Sequence, residues 1–180
     1  MMELLEAIHA RRSYRGQYLP DAVPREDLRK IMEAALAAPS GCNLQTTSVI
    51  AVDDPALMRD IAAIVKKPWI ASAPAGICVL AREQIGPRGV SYHVQDYAAA
   101  IENALLAITA LGYESCWLEG YVTYVDGIGR AIADRLGVPD SLRLVAYLPV
   151  GKAAEAGERK EKRPFEDRAW FNGYQAPEMR

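Results

Sequence analysis

The order of apolar and polar positions divides the chain before any motif is considered. Residues 2–10 carry Leu4, Leu5 and Ile8 at helical spacing, which predicts a short amphipathic helix running into the polar stretch 11–15. Pro20 and Pro24 mark a loop. Pro24 stands where proline suits the first turn of a helix, here one with Leu28, Ile31, Met32, Ala35 and Leu36 along one face. Pro39-Ser40-Gly41 stops that pattern. Ser48–Val52 reads as a short buried strand, and Asp53-Asp54-Pro55 turns the chain into a third helix bearing Leu57, Ile61, Ile64 and Val65. Ala75–Ala81 is a second apolar strand. Ser91–Leu111 is the strongest helical pattern, with Gly112 in the position that commonly closes a helix. Glu102 is the one formal charge between Tyr97 and Tyr113, so this helix is expected to be covered on several sides, by core or by a second subunit. Ser115–Leu118 reads as a third strand, Tyr124–Leu136 as a helix and Arg143–Val150 as the last strand. Helices first, then strands alternating with helices, predict an α+β or α/β layered fold.

After Gly151 the pattern changes. Between Lys152 and Arg168, 11 of 17 residues are charged, too many for ordinary core. Yet Phe165, Trp170, Phe171 and Tyr174 follow, more aromatics than a disordered tail should hold. The expected division is a domain over 1–151 and an arm over 152–180 that packs on something. A chain of 180 residues suits one such domain. Lys and Arg number 21 against 23 Asp and Glu, a net charge of −2, so no overall positive field draws the chain to nucleic acid or to a membrane surface. Any anion site must be local. Cys42, Cys78 and Cys116 form no CxxC pair, which points to a reducing, cytoplasmic setting. His9 and His93 lie too far apart in sequence to suggest a zinc cluster. The early acids Glu3 and Glu6 differ from the basic start of a signal peptide. The longest uncharged run, Ala34–Val52, is broken by Pro39, Ser40, Gly41, Asn43 and Gln45, too polar for a membrane span.

Four constellations could carry chemistry. Arg11-Arg12-Ser13-Tyr14-Arg15 offers three guanidinium forks and a hydroxyl suited to phosphate oxygens, or else arginines that cap the end of the first helix. Pro39-Ser40-Gly41-Cys42-Asn43-Leu44-Gln45 combines turn formers with two amides able to bond the edge of a heteroaromatic ring, or else it is a plain helix-to-strand connection. Glu119-Gly120 follows an expected strand, where Gly120 could simply turn the chain. Lys160, Lys162 and Arg163 precede Pro164 in a stretch whose mixed charge suits a solvated surface. Gly127-Ile128-Gly129 lacks the third glycine of a dinucleotide fingerprint, since Ile132 stands in its place, and no Walker A, GxSxG or HExxH motif is present. Cys42 has no basic neighbour to activate it and reads as a small packing residue rather than a nucleophile.

Taken in order, these pieces resemble the FMN-dependent nitroreductase family. The resemblance rests on Arg11 to Arg15 after the first helix and on the Pro-Ser-x-x-Asn-x-Gln loop of Pro39, Ser40, Asn43 and Gln45. It continues through Lys67, the long helix, Glu119-Gly120 and a basic Lys-x-Lys-Arg-Pro near the end. It implies an α+β three-layer fold whose central, mostly antiparallel or mixed sheet is flanked by helices, in an intertwined homodimer with FMN at the subunit interface and the arm 152–180 packing on the partner subunit. It implies two-electron, ping-pong transfer from NADH or NADPH through FMN to a small nitroaromatic or quinone-like acceptor, with no residue acting as nucleophile and no metal. By the same resemblance Arg11, Arg12, Ser13 and one or more of Lys160, Lys162 and Arg163 hold the FMN phosphate. Arg15 and Lys67 lie near the pyrimidine edge. Pro39, Ser40, Gly41, Asn43 and Gln45 form a flavin and ribityl loop, commonly given by the partner, and the Glu119-Gly120 backbone lies near the reactive nitrogen. Where that family usually carries Pro-Trp after Gln45, Thr46-Thr47 stand here, which implies a more open or polar cleft wall. The rival readings are other FMN chemistry on the same fold (reductive dehalogenation or oxidation) and a non-enzymatic nucleotide-binding protein.

Overall fold

A computed structural model describes residues 2–125 and 127–175. Its elements are α1 (Leu4–Ala10), α2 (Arg25–Leu36), β1 (Thr47–Val52), α3 (Pro55–Val65), β2 (Ala75–Ala81), α4 (His93–Ala110), α5 (Gly120–Tyr124), α6 (Ile128–Arg135) and β3 (Arg143–Val150), with short 3₁₀ turns at Gly41–Asn43, Ile70–Ser72 and Phe165–Asp167. Residue 126, inside the expected helix 124–136, and residues 176–180 of the expected arm lie outside the description.

The strands form one antiparallel sheet in the order β1-β2-β3. β2 is central, and all seven of its residues are buried. Its side chains alternate between two cores, as a strand's period of two requires. Ala75, Ile77, Val79 and Ala81 join Leu28 and Ile31 of α2 and Ile101, Leu105 and Ile108 of α4 on one face. Cys78 and Leu80 join Ile61 and Val65 of α3, Val122 of α5 and Ile132 of α6 on the other. The result is three layers, helix, sheet, helix, of α+β type. An uninterrupted apolar run is what a strand needs when both faces are covered.

Local signals set the ends of the elements. The Asp54 carboxylate accepts from the N–H groups of Ala56 and Leu57 at 2.9 Å, with Pro55 at the first helical position of α3. Gly112, at φ +83°, closes α4 with two bonds, from its own N–H to the Thr109 carbonyl and from the Tyr113 N–H to the Ile108 carbonyl. Gly129 is a packing residue. A Cβ there would fall 2.9 Å from the Val122 carbonyl and 3.0 Å from that of Leu144.

Two expectations change. Residues 115–118 form no strand; isolated bridges at Glu114–Gly151 and Leu118–Tyr147 hold a bowed segment against β3. The expected helix 124–136 begins at Ile128, and the extra turn of α5 precedes it. Of the two covers expected for the long helix, core is the one seen for Ile101, Leu105 and Ile108, which are buried within the chain. Exposed apolar side chains stand on α1, where Ala7 packs inward while Leu4, Leu5 and Ile8 are exposed, and on the arm at Phe165, Phe171 and Tyr174.

Candidate active site

The two ends of the sequence build one cleft. The segment after α1 pairs with the segment after β3: the Leu19 N–H donates to the Lys152 carbonyl at 2.8 Å, and the Ala154 N–H to that of Gln17 at 2.9 Å. Tyr14, buried and edge-on to Tyr18 at 5.1 Å, forms the base. Gly157 crosses its ring so closely that a Cβ would sit 2.8 Å from Tyr14 Cδ2. Over this base opens a cleft of about 860 Å³ lined by Arg11, Arg12, Ser13, Arg15, Arg159, Lys160 and Lys162, with Glu155 and Glu158 as its carboxylates.

Carboxylates and carbonyls orient the guanidinium groups. Arg12 reaches Glu114 at 2.6 Å and donates to the Gly157 carbonyl at 2.8 Å, while its buried Nε has no partner. Arg11 pairs with Glu102 of α4 at 3.1 Å. Arg159 donates to the His9 carbonyl at the end of α1. The helix end is therefore met by the backbone N–H of Arg11 and by a guanidinium from the tail. Cys116 lies under Ser13 and Arg15; burial pushes its thiol up against the opposing pull of both neighbours, so it stays a neutral thiol.

The other expected residues fall in two further places. Pro39, Ser40, Gly41, Asn43 and Gln45 make a separate loop between α2 and β1. There Cys42, Asn43 and Gln45 have φ of 53°, 53° and 49°, the left-handed region that side chains seldom adopt. The Ser40 hydroxyl accepts from the Gln45 N–H at 3.0 Å inside this loop. Thr46 is buried, and its hydroxyl donates to Asp96. Cys42 is exposed rather than packed.

The third place is the start of α5. Lys67 Nζ lies 4.5 Å over the Tyr121 ring. Glu119 precedes the helix, accepting a 2.7 Å bond from the Tyr97 hydroxyl. Burial first, then this carboxylate, push the Tyr97 hydroxyl up, so it remains a donor. Gly120 opens the helix and is exposed; a Cβ there would meet Tyr124 Cδ2 at 3.9 Å, and the backbone N–H groups of a helix's first turn have no intrahelical partner. Arg163 is exposed and does not line the cleft.

Thus Arg11, Arg12, Ser13, Arg15, Lys160 and Lys162 come together, while the 39–45 loop, and Lys67 with Glu119 and Gly120, stand apart within one chain. Sequence reasoning missed Arg159, Gly157 and Asp96. Arg159 had a visible sign in its basic stretch; the other two act through contacts across the fold.

The fold and the paired loop and tail define a class. The nitroreductase family model matches residues 8–75 and 65–152, and the chain belongs to that family. It is 33% identical over 152 residues to an Archaeoglobus fulgidus protein with the provisional name NADH dehydrogenase/NAD(P)H nitroreductase, over 84% of this chain and 86% of that one. It is 26% identical to the FMN reductase [NAD(P)H] of Bacillus subtilis, over 92% of this chain and 72% of that one. Among solved structures, the FMN-dependent nitroreductase of Clostridium difficile R20291 superposes with a TM-score of 0.78 at 25% identity, over 94% of this chain and 99% of that one.

Proposed function

We propose that this chain is an NAD(P)H-dependent oxidoreductase that carries FMN, with the FMN phosphate in the basic cleft. The observation that carries this reading is the cleft itself, where basic groups from residues 11–15 and 159–162 converge in a chain of net charge −2. The donor set fits the cofactor. Fixed guanidinium forks match phosphate oxygens, and the unpartnered Arg12 Nε is a buried donor beside them. The relatives named FMN reductase and FMN-dependent nitroreductase support the same reading.

Arg11, Arg12, Ser13, Lys160 and Lys162 would bind the phosphate. Arg15 and Lys67 would supply positive charge for the pyrimidine edge, and the N–H of the exposed Gly120 would face the reactive edge. When bound, FMN would supply two-electron redox chemistry between NAD(P)H and a nitroaromatic or quinone-like acceptor. The protein's part is then to bind, orient and exclude water.

The site takes two copies of the chain in this reading. The 39–45 loop shares no lining with the basic cleft, so a second copy would bring it there. The exposed Leu4, Leu5 and Ile8, with Phe165, Phe171 and Tyr174 on the arm, supply apolar surface for that association. Titration of the apoprotein with FMN, followed by NADH and NADPH oxidation with a quinone, tests the assignment. Saturable binding and acceptor-dependent turnover support it. A colourless protein that cannot be loaded with FMN points to a nucleotide-binding protein without redox activity.

A further inference from the structure

We infer that Asp96 is a positioning residue for the 39–46 loop, holding it in the shape that cofactor contacts require; the inference rests on the reading of that loop as an FMN loop. Asp96 lies in the first turn of α4 and is 4% exposed. One carboxylate oxygen accepts from the Gly41 N–H at 2.7 Å, and the other from the Thr46 hydroxyl at 2.6 Å. These donors sit at the two ends of the strained segment, with left-handed Cys42, Asn43 and Gln45 between them.

Left-handed backbone is unfavourable for residues bearing a Cβ, and three such residues close together do not keep that shape unaided. The restraint comes from the start of α4. Gly41 lies flat on Tyr92, the residue before the helix, where a Cβ at Gly41 would come within 2.5 Å of Tyr92 Cβ. One turn on, Asp96 ties both ends of the loop to the same helix. A buried carboxylate that loses either donor is left partly unsatisfied, so the two bonds act as one clamp. The amides of Asn43 and Gln45 stand on the clamped span and face outward, exposed.

The experiment is FMN titration of the full chain as wild type, Asp96→Ala, Asp96→Asn, Thr46→Val and Asn43→Ala. Apoprotein melting temperature and visible circular dichroism of the bound flavin accompany each titration. Thr46→Val and Asp96→Ala are expected to weaken FMN about tenfold, close to 1.4 kcal/mol, and to alter the flavin dichroism. Asp96→Asn is expected to recover most of the affinity, because its Oδ1 still accepts from Gly41 and its amide can donate to the Thr46 oxygen. Should Asp96→Ala fail to fold, Thr46→Val decides, since it removes one hydroxyl at nearly constant shape. If Asn43→Ala weakens FMN while Thr46→Val shifts only the melting temperature, Asp96 has a purely structural role and the inference is overturned, with the FMN reading intact. If wild type takes up no FMN, or Asn43→Ala binds it unchanged, the reading of the loop fails and the inference falls with it.

Discussion

Arg11 and Arg12 adjoin in sequence, yet the fold fastens them differently. Arg12 is held by Glu114 and by the Gly157 carbonyl, so its loss would also free a half-buried carboxylate and loosen the tail. Arg11 has a single partner, the half-exposed Glu102. Arg11→Ala is therefore expected to weaken FMN by roughly 1.5–3 kcal/mol, the range for a charge-assisted bond, with little loss of stability. Arg12→Ala should lower both affinity and melting temperature. Equilibrium titration beside thermal melting separates the two, and unchanged affinity in Arg11→Ala removes that residue from the phosphate site. Cys42, exposed in the strained loop, has no thiol partner for a two-electron relay. Cys42→Ser should keep FMN content and quinone turnover within a few-fold, and near-complete loss of turnover with FMN still bound would show a thiol in the mechanism. At this scale the sequence displayed the residues with charge or turn chemistry, Arg11 to Arg15 and 39–45. It could not display Asp96, whose partners stand 50 and 55 residues away, nor Gly157, whose small size matters only because Tyr14 lies beneath it.

Among the elements, β2 and β3 are readable to the residue, because a strand covered on both faces leaves a continuous apolar run. The segment 115–118 misleads for a related reason. It is apolar because it is buried, yet its pairing is limited to isolated bridges, Leu118 with Tyr147 of β3 and the preceding Glu114 with Gly151. α5 escapes notice because Gly-Tyr-Val-Thr-Tyr has weak helical preference; the Thr123 hydroxyl, donating to the Val145 carbonyl at 3.0 Å, ties it to β3. Hydrophobicity with a single charge between Tyr97 and Tyr113 marks α4 as covered and does not say by what, and the cover is α2 and the sheet. Ile108→Glu is thus expected to give unfolded or insoluble protein, since an unpaired charge in the core is not tolerated. Leu5→Glu on α1 should give folded protein with weakened self-association and reduced FMN content. Sedimentation at low micromolar concentration distinguishes them, and a Leu5→Glu protein that associates as wild type does removes α1 from the interface.

For the whole molecule, a layered α+β or α/β fold was legible from element order and apolar runs, while the antiparallel sheet and the joining of the basic tail to residues 11–15 were implied by the family resemblance alone, since charge by itself does not reveal what a segment rests upon. Core burial also has a pH signature. Cys78 is fully buried in β2, and burial pushes its thiol up to about 12 from the ordinary range near 8.5. The raised value means the unfolded chain releases this proton first, so its contribution is fully present below about pH 8.5 and is lost as pH rises towards 12. Urea midpoints should fall through that window, and Cys78→Ala, though less stable throughout, should show a shallower fall; parallel curves would discount the thiol. Gly157→Val, by pushing the tail off Tyr14, should reduce FMN affinity with the sheet intact, as titration beside far-ultraviolet dichroism can show. That same crossing of the tail over Tyr14 sets an order of events during synthesis. Residues 11–16 leave the ribosome well before 152–160, so their arginines acquire a counter-wall only once that later segment has emerged. In the proposed reading, cofactor capture then waits for residues 152–160, and a chain clipped near residue 150 would have nowhere to seat a phosphate.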